Sequence, residues 1–225
     1  MQVSLIKYTP EPELTIAAAA RLCYSEIGAT EILERLSQAQ IDRLLKQVMS
    51  SGHHSVLEHA SFVFAVDGLS RAASHQLVRH RLASFSQQSQ RYVSFKTPEY
   101  VTPPTIAENP ELRQSFDRAV SSAFEQYRTL IEAGIPKEDA RYLLPNAATT
   151  RLVMTMNARE LVHVCSVRLC LRAQWEIRGL FEKVKEEVCR VAPTISGALQ
   201  IKCVTSGYCD EKESCGIRPL REEAY

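Results

Sequence analysis

The sequence predicts an α+β fold, a single domain in which long helices surround a small, mostly antiparallel sheet. Apolar residues recur at helical spacing over several long stretches, whereas only a few short segments have the alternating or β-branched pattern of strands. These strands do not alternate regularly with the helices. The 225 residues fit one large domain, which we place at 1–200, followed by a cysteine-containing C-terminal tail at 201–225.

The first half of the chain begins with a strand and continues mainly as helices. In order, we predict a strand at 2–8, helices at 11–24, 30–36 and 40–49, a strand at 61–67 and a helix at 69–81. Gly52 follows the third helix and marks its end. On the last helix, Gln76, Arg79 and His80 are spaced i, i+3 and i+4, which places them on one face.

The second half has clearer helix boundaries. Asn109 and Pro110 form a strong helix start, because Asn caps free backbone N–H groups and Pro suits the first helical position. Gly134 is a good end for this long helix. The remaining elements are a short helix at 136–145, a strand at 149–156, a helix from the Asn157 cap to about 170, and a helix at 173–191.

Composition excludes several classes of protein. Hydrophobic residues make up 45% and charged residues 24%, as in an ordinary soluble globular protein, and the net charge of +1 gives no global basic field for nucleic acid. No apolar run approaches the ~20 residues of a membrane span, and residues 1–7 lack the apolar core of a signal peptide. Seven cysteines, an odd number, favour free thiols in a reducing cytoplasm.

The most informative segment lies between Asp67 and Glu99, where no acidic residue occurs. It contains Arg79, Arg81 and Arg91, whose guanidinium groups suit phosphate or carboxylate in two-point geometry. Glutamines and serines accompany them, and such side chains can recognise the edges of a polar ring. The segment therefore predicts a binding site for an anion that carries a heterocycle, which is the description of a nucleotide.

Three other interpretations stay open. It could be a solvated basic face, although lysine, which such faces favour, is absent from residues 72–93. It could also make the chain a nucleic-acid-binding module that uses residues 71–92, which the net charge of +1 disfavours. A nucleotide hydrolase is a third possibility, but it would need a metal cluster or an activated nucleophile.

Four motifs occur in a fixed order along the chain. They are Arg79-His80-Arg81 followed after seven residues by Ser89, Gly52-His53-x-Ser55-x-x-Glu58-His59 upstream of it, and, downstream, Asn157-Ala158-Arg159 and Arg168-x-x-x-Arg172-Ala173-Gln174-Trp175-Glu176-Ile177-Arg178. Together they resemble the signatures of the flavin-dependent thymidylate synthases, and the resemblance covers nearly the whole chain.

This resemblance implies a complete reaction. Deoxyuridine monophosphate (dUMP) is methylated at ring carbon 5, methylenetetrahydrofolate supplies the carbon, and FAD reduced by NADPH or NADH carries the hydride. The resemblance also implies a homotetramer with shared active sites. Such an enzyme is cytoplasmic and needs neither a nucleic-acid nor a membrane partner.

The resemblance also assigns roles to residues. Flavin contacts fall on Ser55, Glu58, Arg79, His80, Arg81, Asn157, Arg159 and His163. Substrate contacts fall on Gln76, Arg79, Gln87, Gln88, Ser89, Gln90, Arg91, Arg141 and Arg168. Among these, Arg168 is the predicted catalytic residue, because a guanidinium beside the N-3/carbonyl edge of uracil favours the ionised ring.

Other readings of these residues have a structural basis. His53, His54, Glu58 and His59 cluster like metal ligands, but their spacing is not His-Glu-x-x-His, so we predict no metal. Ser55-x-x-Glu58 could also form a helix capping box, whether or not it contacts flavin. Ser89 could be a nucleophile, but no histidine–carboxylate pair is visible nearby to activate it.

Helix geometry raises a question about Arg159 and Arg168. Nine positions correspond to 900° of rotation, so the two side chains lie about 180° apart around the helix axis. One unbroken helix cannot easily present both to one small pocket. Either the helix lies between two active sites of an oligomer, or it breaks near Ser166.

The C-terminal tail carries Cys203, Cys209 and Cys215, separated by gaps of five residues. Structural zinc sites favour gaps of two to four residues and need four ligands. The sequence therefore favours a disordered tail of reduced thiols.

Overall fold

A computed structural model describes residues 1–95 and 97–224. Its four strands are β1 (Gln2–Tyr8), β2 (Ser61–Ser70), β3 (Ser84–Gln87) and β4 (Thr149–Asn157), and they form a sheet in the order β1-β2-β4-β3. The sheet is small and antiparallel, and helices dominate the rest of the described chain. The predicted α+β class is therefore confirmed.

Helices account for most of the remaining structure. They are α1 (Pro12–Leu22), α2 (Ala29–Arg35), α3 (Gln38–Ser51), α4 (Arg71–Leu77), α5 (Pro104–Ala107), α6 (Pro110–Glu132), α7 (Lys137–Ala140), α8 (Ala158–Arg168), α9 (Trp175–Cys189), α10 (Pro193–Ala198) and α11 (Lys202–Ser206). Three-residue-per-turn helices occur at His54–His59, Arg141–Leu143 and Arg221–Glu223. None of the described helices combines the length and the apolar character needed to cross a membrane.

Predicted helix boundaries hold where a specific cap is present. The Asn109 side chain accepts hydrogen bonds from the backbone N–H groups of Glu111 and Leu112, at 3.0 and 3.1 Å, and so begins α6. Gly52 ends α3 with a φ of 76°, a left-handed conformation that costs glycine little because it has no Cβ. Both boundaries confirm the sequence prediction.

Contacts divide the chain into two compact units. Unit 1 comprises Met1–Gln2, Val66–Arg79 and Phe85–Val153, and unit 2 comprises Val3–Ala65, His80–Ser84 and the chain from Met154 onward. In unit 1, Val120 and Phe124 of α6 form a core with Ala148. In unit 2, α1 packs against α3, while α9 packs against α8 and α10. The inward faces of these elements are fully buried.

The predicted helix at 69–81 is wrong at both ends. Strand β2 continues to Ser70, whose side-chain oxygen accepts the backbone N–H of Ala73 at 3.0 Å, so α4 starts at Arg71, two residues later than predicted. The helix then ends at Leu77, before Arg79 and His80. The prediction that Gln76, Arg79 and His80 share one helical face is therefore wrong as well.

Several short elements were not predicted. Strand β3 lies beside β4 in a segment for which the sequence predicted neither a helix nor a strand, and α5, α10 and α11 are too short to show a clear apolar period. The tail at 201–224 contains α11 and an isolated bridge between Cys209 and Leu220, so it has local structure where a disordered segment was expected.

Candidate active site

Helix α8 carries three of the site residues predicted in unit 2, which are Arg159, His163 and Arg168. Its N-cap is Asn157, as predicted, with Oδ1 accepting the Glu160 N–H at 2.8 Å. The helix runs without interruption from Ala158 to Arg168, so the hypothesis of a break near Ser166 is wrong. Because the helix is continuous, Arg159 and Arg168 lie at opposite ends and on opposite sides of it.

At the C-terminal end of α8, Arg168 contacts His80. The Arg168 Nε–H donates to His80 Nε2 at 2.9 Å, so this ring nitrogen must be unprotonated. In the neutral ring Nδ1 then carries the proton, and it lies 3.9 Å from Oε1 of Glu160. The ring also meets Phe181 of α9 edge to face, with centroids 6.5 Å apart.

The electrostatics of this cluster favour a neutral imidazole. Burial lowers the pKa of His80 to about 4, with further lowering by electrostatic interaction with Arg168 and His163. Burial also raises the pKa of the Glu160 carboxyl. Because the ring is neutral at physiological pH, it holds the Arg168 guanidinium in place without cancelling its charge. Glu160 was not predicted from the sequence, where it resembles an ordinary acid in the first turn of a helix.

At the N-terminal end of α8, Arg159 contacts a carboxylate. Its Nη1 lies 2.5 Å from Oε1 of Glu58, and both side chains are about half exposed, at 52% and 48%. Glu58 belongs to the short helix His54–His59, which begins after His53 and has no side-chain cap. The capping box suggested for Ser55 and Glu58 is therefore wrong, and Ser55 is exposed to solvent.

In unit 1, strand β3 leads into the predicted substrate segment. The Gln87 amide donates to Thr150 Oγ1 at 3.1 Å, and Ser89 Oγ accepts the Arg91 N–H at 3.1 Å. Gln88 differs, because its Oε1 is buried and has no hydrogen-bond partner among the described residues. A buried acceptor without a donor is uncommon in folded proteins and indicates a missing partner.

The predicted phosphate contact Arg91 is paired with a carboxylate. Its Nε and Nη2 lie 2.9 and 2.8 Å from Oε2 of Glu138, and this bond raises the pKa of the guanidinium. Both side chains are about half exposed, at 51% and 49%. A phosphate that binds Arg91 would therefore compete with Glu138 for the same N–H groups.

Arg71, at the start of α4, is a candidate that the sequence interpretation missed. Its guanidinium is partly buried, and its pKa is lowered first by burial and then by the positive charge of Arg141, a predicted substrate contact. Two guanidinium groups that repel each other are stabilised by an anion. In the sequence, Arg71 could have been recognised by its position near the start of the segment between Asp67 and Glu99, which has no acidic residue.

The remaining predicted residues are solvent-accessible. Gln76, Arg79, Arg81 and His163 are exposed, and Gln90 is half-buried. The Arg-His-Arg motif is divided between the units, with Arg79 in unit 1 and the other two residues in unit 2. Within residues 1–95 and 97–224, no group of three or more His, Cys, Asp or Glu side chains has the arrangement of metal ligands.

The chain is similar in sequence to known proteins over nearly its whole length. Residues 4–194 match the family model described as thymidylate synthase complementing protein. A flavin-dependent thymidylate synthase from Geobacter sulfurreducens is 48% identical over 218 residues, which cover 96% of this chain and 94% of that protein. One from Pyrococcus furiosus is 40% identical over 221 residues, covering 95% and 91%.

A solved structure is also similar. It is a UMP/dUMP methylase, PolB from Streptomyces cacaoi, bound with 5-Br dUMP. The two chains superimpose with a TM-score of 0.79 at 26% sequence identity, and the match covers 88% of this chain and 93% of the other.

Proposed function

The chain belongs to the flavin-dependent thymidylate synthase family and is an enzyme of that class, and on this premise we propose that it methylates dUMP at ring carbon 5. The names of its relatives and the 5-Br dUMP bound to the similar methylase support a uracil nucleotide as the substrate. We further propose methylenetetrahydrofolate as the carbon donor and NADPH or NADH as the reductant.

FAD is the proposed resident cofactor, and the charges of the motif residues fit it. The side chains of Arg79 and Arg81 are exposed and make no hydrogen bond or ion pair with the described residues, which leaves each guanidinium group available for a phosphate. Ser55, Glu58, Asn157, Arg159 and His163 are the other proposed flavin contacts. When bound, FAD supplies the redox chemistry, while the protein binds, orients and polarises the substrate.

The catalytic assignment of Arg168 rests on one observation. The hydrogen-bond partner of its guanidinium is the neutral imidazole of His80. A guanidinium paired with a carboxylate would have its charge largely cancelled. Arg168 keeps its charge and is held in orientation, so it can stabilise the negative charge that develops on the N-3/carbonyl edge of uracil. His80 is then a positioning residue that acts through Arg168.

Nucleotide contacts in unit 1 are proposed from their own surroundings. Gln88 Oε1 lacks a donor, and a uracil N–H or a ribose hydroxyl would supply one. Arg91 suits the phosphate, with Glu138 occupying its N–H groups in the absence of nucleotide. Ser89 contributes a hydrogen bond. Further contacts are assigned to Gln76, Arg79, Gln87, Gln90 and Arg141.

A direct assay tests the proposal. The purified protein should show a flavin absorption spectrum and convert dUMP to the thymidine nucleotide when given NADPH and methylenetetrahydrofolate carrying a labelled carbon. Label should appear in the methyl group attached to ring carbon 5. An oligonucleotide should not compete with dUMP at any salt concentration. A colourless protein that binds oligonucleotides with a steep salt dependence would instead support the nucleic-acid-binding alternative.

The continuous helix α8 also supports a proposed assembly. Its two ends are assigned to flavin and to nucleotide, so we propose a homotetramer in which one α8 contributes to more than one active site. Dilution below the assembly threshold should then release FAD, which sedimentation detected at flavin wavelengths can measure. A flavin-loaded, active monomer would contradict shared sites.

We also propose a cytoplasmic location, because all seven cysteines are free thiols. Alkylation in freshly denatured cell lysate should modify all of them. Protection by disulfides would contradict this location.

A further inference from the structure

Four cysteines line one cavity in unit 2. Cys170 follows the end of α8, Cys203 lies on α11, and Cys209 and Cys215 lie in the tail beyond it. The cavity has a volume of about 200 Å³. We propose that these residues, the four-thiol cluster, are the ligands of one Zn²⁺ ion that fastens the C-terminal tail to the end of α8.

Cys170 changes the argument that the sequence allowed. The tail by itself offers three thiols, one fewer than a structural zinc site requires. The fold adds the fourth from a distant part of the sequence. Four sulfur donors select soft metals, and Zn²⁺ takes them in a tetrahedral arrangement with bonds of ~2.3 Å.

All four thiols line the same cavity, so they face a common space. Metal ligation deprotonates thiols, and a Zn²⁺ ion bound there would hold them as thiolates.

The tail also lacks the usual source of stability. Between residues 201 and 224, only Cys209 is buried. The segment is nevertheless folded, with α11, the bridge between Cys209 and Leu220, and a ring contact between Arg221 and Tyr208. Short segments without an apolar core are commonly stabilised by a metal or by disulfides, and these thiols form no disulfide.

Charged residues around the cavity suit a thiolate site. Arg172 and Lys202 line it, each beside one of the two acids in the lining. The two acids in the lining are already engaged, since Asp210 pairs with Lys202 and Glu211 lies 4.0 Å from Arg172. The carboxylates are therefore held by cations, which leaves the thiols as the available donors.

The described side chains do not already surround a single point as metal ligands do. Binding of Zn²⁺ would require the four thiol side chains to turn into the cavity, whose volume leaves room for this movement.

Metal analysis of anaerobically purified full-length protein tests the proposal. We expect about one zinc ion per chain, and a loss of most of it in Cys203→Ser and in Cys170→Ser. Cys23→Ser and Cys189→Ser are matched controls, because both cysteines are exposed and lie outside the cavity, and they should keep their zinc. Equal zinc in all five proteins, or none in the unmodified chain, would overturn the proposal.

Cobalt provides a second readout that does not depend on a folded variant. Co²⁺ added to the chelator-treated protein should give thiolate charge-transfer bands and the strong d–d absorption of a tetrahedral site. Chelation should make residues 201–224 sensitive to protease, and Zn²⁺ should restore resistance. Co²⁺ bands without thiolate character, unchanged protease resistance, or iron with labile sulfide would each rule out the zinc site.

Discussion

The two ends of helix α8 carry the same residue type with opposite partners. Arg159, in the first turn, is paired with the exposed carboxylate of Glu58, whereas Arg168, in the last turn, donates to the neutral ring of His80. The helix dipole is unfavourable to a cation in the first turn and favourable in the last. Arg159 therefore benefits from a negative partner, while Arg168 is stabilised by its position in the helix.

This difference fits the proposed separation of binding from catalysis. A guanidinium whose charge is already balanced suits an exchangeable contact with a cofactor anion. One that keeps its charge and is held by a buried ring suits the stabilisation of a developing negative charge. Four substitutions can break or sharpen the comparison, and they are given from the largest expected effect to the smallest.

Replacing Arg168 with Ala should lower kcat by about 10²- to 10³-fold, as expected when one donor to a developing anion is removed. FAD binding should survive, because Arg168 is assigned to the uracil ring and not to flavin. Turnover and flavin absorbance of the same preparation measure both effects. Near-normal turnover would refute the activating role, and simultaneous loss of flavin would refute the separation of the two ends.

Replacing His80 with Gln should lower kcat by roughly ten- to a hundredfold, in the range seen when an orienting partner is lost. The KM for dUMP should change little if His80 acts on the orientation of Arg168 and not on ground-state binding. A merely structural role would instead lower the amount of folded protein and leave kcat per bound flavin unchanged. Phe181→Leu is a matched control that alters packing on the same ring.

The pKa of His80 also predicts a pH dependence of stability. It falls from its usual 6.5 to about 4 in the folded chain, so the unfolded state binds more protons within this window and folding stability is lost as pH falls through it. Glu160, whose pKa is raised above 4.5, acts in the opposite direction. Urea unfolding between pH 7 and 4 should show a smaller acid loss in His80→Gln than in the unmodified chain. Equal pH dependence in the two proteins would show that the pKa of His80 does not differ between the folded and the unfolded state.

Replacing Arg159 with Gln should weaken FAD binding by about tenfold, which corresponds to ~1.4 kcal/mol for one charge-assisted hydrogen bond. With FAD saturating, kcat should be restored, and this restoration distinguishes Arg159 from Arg168. Flavin titration followed by an activity assay measures both quantities. A kcat that stays low at saturating FAD would erase the proposed contrast between the two ends.

Replacing Glu138 with Gln should lower the KM for dUMP by no more than about fivefold, because exposed ion pairs are worth ~0–1 kcal/mol. The variant removes the carboxylate that competes with phosphate for Arg91. A KM that rises would mean that Glu138 orients Arg91. Glu132→Gln, which alters an exposed acid at the end of α6, serves as the control.

Local signals explain how much of this structure the sequence could predict. Asn109, Asn157 and Gly52 act on backbone groups within a few residues, so their helix boundaries were predictable. The start of α4 was predicted too early because residues that suit a helix follow strand β2 directly. The Ser70 cap decides where the strand ends and the helix begins. Strand β3 was missed because its four residues are mostly polar and show no clear strand pattern. They adopt the strand conformation because they pair with β4.

The candidate site divides in the same way. The motifs indicated which residues to examine and where the charge is concentrated. The contacts that give them distinct roles join residues far apart in the chain, such as Arg168 with His80, Arg159 with Glu58, and Cys170 with the tail. No local pattern records such a contact, because it depends on the packing of whole elements.

The continuity of α8 has a thermodynamic consequence. A helix of 11 residues is a stiff rod of ~16 Å, so a ligand that shifts one end also displaces the other. If flavin at the Arg159 end tightens nucleotide binding at the Arg168 end, the nucleotide must tighten flavin binding by the same factor. Measuring each affinity with and without the other ligand closes this cycle. In the proposed homotetramer, a single rigid helix would then couple the occupancies of neighbouring sites.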